Sequence, residues 1–185
     1  MKQLNKETRI LLERYLDAAS NLYGIIRLSK LLSIYNSQNE PITEEAFLDF
    51  IEEIDVNEKF YDFIGEDEFY DDIDMVIPIE RDLVAEYLVI DDDLSLYDEV
   101  KKGQVGKPYY VPEKAKLLKY EDEFYHEKTL SFISLRAFFR NQSSLTKERA
   151  DEITEDIYNS ANVFNGDVAR VVQLIEHMFE FDNST

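Results

Sequence analysis

The sequence predicts a mainly α protein. An N-terminal winged-helix-like module of three helices and a short β-hairpin is followed by a C-terminal helical bundle. Three observations carry this reading. Apolar residues recur at three- and four-residue spacing through most of the chain. Short β-prone runs flank Gly65 directly after the third helical segment. The stretch Lys101–Pro112, with Gly103, Gly106, Pro108 and Pro112, reads as a linker or exposed loop. Residues 1–99 are then the module and 100–185 the bundle, expected to pack together as one compact unit.

The elements follow in order. Asn5–Tyr23 is the first helix, with Leu12, Tyr15, Leu16, Ala19, Leu22 and Tyr23 on one face and Gly24 as its stop. Ile25 and Ile26 make a very short strand, and Ser29 caps a second helix bearing Leu28, Leu31, Leu32 and Tyr35. After the turn Ser37-Gln-Asn-Glu-Pro41, Thr43 is a good N-cap for a third helix with Phe47, Phe50, Ile51 and Ile54 on one arc. Phe60–Ile64 and Glu68–Ile73 are expected as strands, with Met75–Ile77 a further β-prone run. Glu80–Ile90 has helical spacing at Leu83, Val84, Tyr87 and Leu88. Pro112 suits the first turn of the next helix. Glu113–Arg140 has apolar residues around much of its circumference and predicts a central, buried helix with a break near Tyr120. Thr146 caps a helix with Ala150, Ile153, Ile157 and Ala161, and Asn165 opens the last one.

Of 185 residues, 44% are hydrophobic and 13% aromatic, enough to fill an interior and to exclude a disordered acidic tail. The absence of Cys excludes disulfides, thiol nucleophiles and Cys-ligated metal centres. Met1–Leu12 has scattered charges and no apolar signal-peptide core. No run approaches the roughly 18 apolar residues of a membrane span, so a soluble cytoplasmic protein is expected.

The net charge of −20 is unevenly spread. Residues 1–39 carry +3 and residues 100–185 carry −2, whereas residues 40–99 hold 23 acidic residues against Lys59 and Arg81, a net −21. Such a block favours positively charged partners and repels phosphate backbones. Direct binding of DNA or RNA through it is therefore not expected. It is patterned, not low-complexity. On the third helix Glu45, Asp49 and Glu52 stack along the side opposite the apolar arc, and Asp62, Glu66, Asp67, Glu68, Asp71 and Asp72 continue the sign into the hairpin. A winged helix that reads DNA carries cations on its third helix and wing; this one has the opposite sign. These nine carboxylates are the candidate partner-binding residues.

Catalytic candidates are weak. His177 falls opposite the apolar face of its helix, and His126 lies among Glu121, Asp122, Glu123 and Glu127, which favour its protonated form. No His-x-x-His pattern, calcium loop, phosphate-binding loop or Gly-x-Ser-x-Gly motif occurs. Asp71, Asp72 and Asp74, or Asp91–Asp93, are the remaining carboxylate sets for a divalent metal. The aromatics at positions 60, 61, 63, 69 and 70 read as core or as anchors of a protein interface. No catalytic residue, cofactor or metal is assigned.

The strings Asn21-Leu-Tyr-Gly-Ile-Ile-Arg-Leu-Ser-Lys-Leu-Leu-Ser-Ile-Tyr-Asn36 and Lys107-Pro-Tyr-Tyr-Val-Pro-Glu-Lys-Ala-Lys-Leu-Leu-Lys-Tyr120 resemble a loose family of uncharacterised bacterial proteins. Some of its members carry a C-terminal Cys/His metal-binding SEC-C motif. Lacking Cys, this chain cannot form that site. The resemblance implies a bacterial or phage cytoplasmic origin and no activity. Charge and motif together lead to the expectation of a non-catalytic protein. It places its acidic surface against the basic groove of a nucleic-acid-binding protein, as phage anti-restriction and anti-CRISPR proteins do. A metal-dependent nuclease acting on partner-bound nucleic acid, and a bacterial interaction adaptor, are the alternatives.

Overall fold

A computed structural model describes residues 4–65, 77–89, 94–122, 125, 127, 129–142 and 145–163, with side chains as far as residue 158 in the last of these helices. It divides into two compact units, Met1–Tyr125 and His126–Thr185.

The first unit begins with α1 (Lys6–Tyr23). Asn5 caps it by accepting the Thr8 N–H at 2.8 Å. Gly24 ends it at φ 67°, where its N–H returns to the Ser20 carbonyl at 2.9 Å. β1 (Ile25–Arg27) leads into α2 (Leu28–Gln38). Ser29, expected as the cap of α2, lies inside the helix. Arg27 in extended conformation is the N-cap, without a side-chain bond, and the orphan N–H of Leu28 is taken by the Arg81 carbonyl at 2.9 Å. Thr43 opens α3 (Glu44–Glu52) by accepting the Ala46 N–H at 3.2 Å. After a 3-10 turn at Val56–Glu58 come β2 (Tyr61–Ile64) and β3 (Asp82–Ala85), the latter introduced by a 3-10 turn at Pro78–Glu80.

The strands form an antiparallel sheet in the order β1-β3-β2, with Ile26 opposite Leu83 and Phe63 opposite Leu83. Three helices, a strand between the first two and a closing pair of strands, in this sheet order, make the arrangement of a winged helix. Two expectations are corrected here. The partner of Phe60–Ile64 is Asp82–Ala85, where a helix over Glu80–Ile90 was expected, while Glu68–Ile73 and residues 75 and 76 lie outside the described residues. The misreading has a physical cause. β3 is the central strand and buried at every position, so the polar alternation that marks a half-exposed strand is absent.

Opposite faces of β3 serve two cores. Leu83 joins Leu12, Tyr15, Leu16, Leu31, Phe47 and Phe50 from the three helices. Val84 joins Ile25, Ile64 and Leu88 with Tyr97 and Val100 of α4 (Ser95–Gln104). Half of the expected linker Lys101–Pro112 is therefore helix, and the remainder is tied to the module. The Tyr23 hydroxyl donates to the Tyr110 carbonyl at 2.7 Å, and Gln38 Nε2 donates to the Pro112 carbonyl at 2.8 Å. α5 (Lys114–Leu117) and the following 3-10 turn, Leu118–Glu121, lie along α1. Asn21 Nδ2 holds the Tyr120 carbonyl at 2.8 Å. Residues 100–125, expected in the C-terminal bundle, thus pack with the N-terminal module.

In the second unit α6 (Leu130–Arg140) and α7 (Lys147–Val163) form a helical pair. Thr129 and Thr146 cap them, each accepting an N–H at 3.2 Å, from Phe132 and Arg149. Phe139, Ala150, Ile153 and Ile157 make the contact, and Arg140 forks onto Asp151. That hydrogen-bonded fork holds the Asp151 carboxyl below its ordinary value. The single long helix expected over Glu113–Arg140 is instead α5, a 3-10 turn and α6. Leu130, Ile133 and Phe138 of α6 are exposed, where burial was expected. The helix expected from Asn165 lies outside the described residues.

Candidate acidic interface

α3 is amphipathic because its apolar residues fall at 47, 50 and 51, all buried, with Ile54 half-buried behind them. The opposite face carries Glu45, Asp49 and Glu52, all exposed. Successive carboxylates four residues apart stand about 6 Å apart along the axis. Glu44 and Glu45 occupy the first turn, where the helix dipole favours negative charge. The C-terminal end has the reverse problem, with Glu52 and Glu53 and no cation in the last turn. Two arginines from elsewhere answer it. Arg81, at the entry to β3, bonds Glu52, and Arg9 of α1 meets Glu53 at 2.6 Å while its guanidinium lies 5.2 Å from the Phe50 ring centroid. Glu45 and Asp49 have no ion pair among the described residues.

The stripe read from the sequence is therefore present on one face, but its members are not equivalent. Glu45 and Asp49 present open carboxylates, while Glu52 is committed to Arg81. Asp62 is exposed on β2, where one oxygen accepts the Phe63 N–H at 2.7 Å. Glu66, Asp67, Glu68, Asp71 and Asp72 lie outside the described residues, as do Asp74, Asp91, Asp92, Asp93, His126 and His177. Among the described residues no group of three or more His, Asp or Glu could hold a metal ion, and no helix is long and apolar enough to cross a membrane.

Sequence reasoning treated residues 40–99 as one acidic surface and missed that part of the block is internal. Asp82 is buried. It accepts the Tyr97 hydroxyl at 2.8 Å, pairs with Lys101 Nζ at 2.9 Å and lies 3.6 Å from Arg27 Nε. Lys101 Nζ also donates to the Tyr97 hydroxyl at 2.7 Å. Burial first, and the Asp82 charge second, keep the Tyr97 phenol protonated far above its ordinary range. Arg27 reaches Glu80 as well, at 2.9 Å. Nothing local in the sequence announces these pairings, since Arg9, Arg27 and Lys101 all come from outside the acidic block.

Searches of the chain against family models, curated proteins and solved structures find no match.

Proposed function

We propose that the protein is a non-catalytic acidic winged-helix protein that docks on the basic surface of a nucleic-acid-binding protein and occupies its nucleic-acid site. One observation carries the reading. At the place where a winged helix presents its reading helix to DNA, the outward face of α3 offers the exposed carboxylates Glu44, Glu45 and Asp49. Negative charge there repels the phosphates a reader must neutralise and complements the cations that bind them. The fold of a DNA reader with a carboxylate face is suited to the reader's target surface, and the spaced carboxylates stand in for backbone phosphates. The acidic residues of 66–76 extend the same sign.

The test is competitive. Immobilised protein is used to capture partners from nuclease-treated bacterial lysate, and bound material is challenged with duplex DNA, single-stranded RNA and a salt gradient. The reading expects a partner that binds nucleic acid on its own, is displaced by it, and elutes as salt rises. The variant Glu45→Lys/Asp49→Lys should lose capture by about tenfold or more, each desolvated charge contact contributing on the order of 1–3 kcal/mol. Capture that survives both the charge reversal and excess nucleic acid would overturn α3 as the docking face.

A further inference from the structure

Between the Asp17–Asn21 turn of α1, the Glu58–Tyr61 approach to β2 and Glu121–Asp122 lies a cavity of about 380 Å³. It is lined by the carboxylates of Asp17, Glu58, Glu121 and Asp122 and by one cation, Lys59. Acidity alone would describe much of this protein; the hydroxyls distinguish the cavity. Ser20 and Tyr61 both line it, are 2% and 3% exposed, and neither Ser20 Oγ nor the Tyr61 hydroxyl has a hydrogen-bond partner among the described residues. Buried polar groups in folded proteins are paired almost without exception, so two orphans on the wall of one cavity indicate a missing third party.

The charges identify what that party is. Burial, foremost, pushes the Asp17 carboxyl above its ordinary value; Lys59 opposes this, while Glu13 and Glu121 add to it. Asp17 is thus a carboxylate short of positive charge. Lys59 does not make up the deficit, since its Nζ stands 3.6 Å from Glu13 and 3.9 Å from Asp17, beyond hydrogen-bonding distance. Glu121 is occupied by Arg14, at 2.5 Å and 3.2 Å. Burial, then the charges of Asp17 and Glu13, keep the Tyr61 phenol protonated, which makes its oxygen a neutral acceptor and donor at every working pH. At the lip, Phe60 is 68% exposed, a large apolar surface beside negative charge.

We propose that this cavity is a binding site for a primary alkylammonium group. The three N–H donors of such a group match the Asp17 carboxylate and the hydroxyl oxygens of Ser20 and Tyr61, and its methylene chain leaves over Phe60. A divalent metal would need six or more oxygens in a shell, for which the described residues offer no cluster. The ammonium comes from a free diamine or from a lysine side chain. The site does not depend on what docks against α3.

Titration of the full-length, isotopically labelled protein with putrescine, N-acetyl-lysine methylamide and 1-butanol, followed by NMR, tests the assignment. Both amines, or one of them, should shift the Asp17, Ser20 and Tyr61 resonances saturably, while butanol leaves them in place. Asp17→Asn should weaken amine binding by about tenfold or more, and Tyr61→Phe by about threefold or more, each losing one charge-assisted contact. Because the Tyr61 hydroxyl has no partner, Tyr61→Phe should keep the fold, as judged by circular dichroism, and so decides the matter even if Asp17→Asn folds poorly. Putrescine binding tighter than the lysine derivative identifies a free diamine as the source; the reverse identifies a protein side chain. Absence of saturable shifts, equal shifts with butanol, or amine binding unchanged in both variants overturns the site.

Discussion

The acidic block holds two carboxylate regions that use the same chemistry to opposite ends. On α3, Glu45 and Asp49 stand in water with no ion pair among the described residues. At the start of β3, Asp82 is buried beneath Tyr97, Lys101 and Arg27. An exposed carboxylate keeps its hydration and contributes little to stability. A buried one has lost it, and the fold depends on the groups that replace the water. Net charge per segment is therefore a poor guide to interaction surface: a formal −21 over residues 40–99 includes charges that are structural pins, charges neutralised by distant arginines, and charges left open.

The sharpest way to break the comparison is to remove the buried member. Asp82→Ala strips the carboxylate from Lys101 and Arg27 and the acceptor from the Tyr97 hydroxyl, and should cost about 3–5 kcal/mol, the range for breaking one side of a buried pair. It joins β3 to α4, so the loss should appear as a lowered urea midpoint with the whole first unit unfolding in one transition. A change under about 0.5 kcal/mol would place Asp82 with the surface residues and dissolve the distinction.

The complementary change is made on α3. Glu45→Gln/Asp49→Asn removes two charges from an exposed face and should alter stability by no more than about 1 kcal/mol, the part due to Glu45 in the first turn of the helix. Thermal denaturation checks this. A larger loss would mean that the stripe supports the fold, and would weaken its reading as an open docking face.

Where the sequence could be read, local chemistry was sufficient. Asn5 and Gly24 bound α1, and Thr43 opens α3, because caps act within three residues of the group they satisfy. The stripe of Glu45, Asp49 and Glu52 was legible for the same reason, since helical spacing alone puts it on one face. What was misread depends on distance. β3 lacks alternation because a second core, built from α4, covers the face that would otherwise be wet. Gly103 and Pro108 mark a break, yet Gln104 Nε2 and Lys114 Nζ anchor that region to the Tyr23 carbonyl and to Asn39. The commitment of Glu52 to Arg81 spans 29 residues, and the cavity at Asp17 is assembled from stretches about Asp17, Lys59 and Glu121 that no spacing rule relates.

That cavity supplies the smallest effect and the most discriminating sign. Asp17 is half-way between the two regions compared above, partly buried like Asp82 but without its close cations. Glu13 precedes it on α1, Lys59 and Tyr61 face it from the approach to β2, and Glu121 faces it from the 3-10 turn beside Arg14. Its carboxyl is raised from the ordinary 3.8 chiefly by burial. A group whose pKa is higher folded than unfolded stabilises the fold fully below the unfolded value, and that contribution is lost as pH rises through the folded one. At neutral pH the ionised carboxylate is accordingly a net cost. Asp17→Asn, which resembles the protonated acid in shape and charge, should raise Tm slightly at pH 7, and the gain should vanish as pH falls below about 4. A residue kept at a cost to stability is the mark of a site that serves binding. If Asp17→Asn instead lowers Tm at pH 7 and evens out in acid, the distant pair with Lys59 outweighs burial, and the carboxylate holds the fold together as Asp82 does.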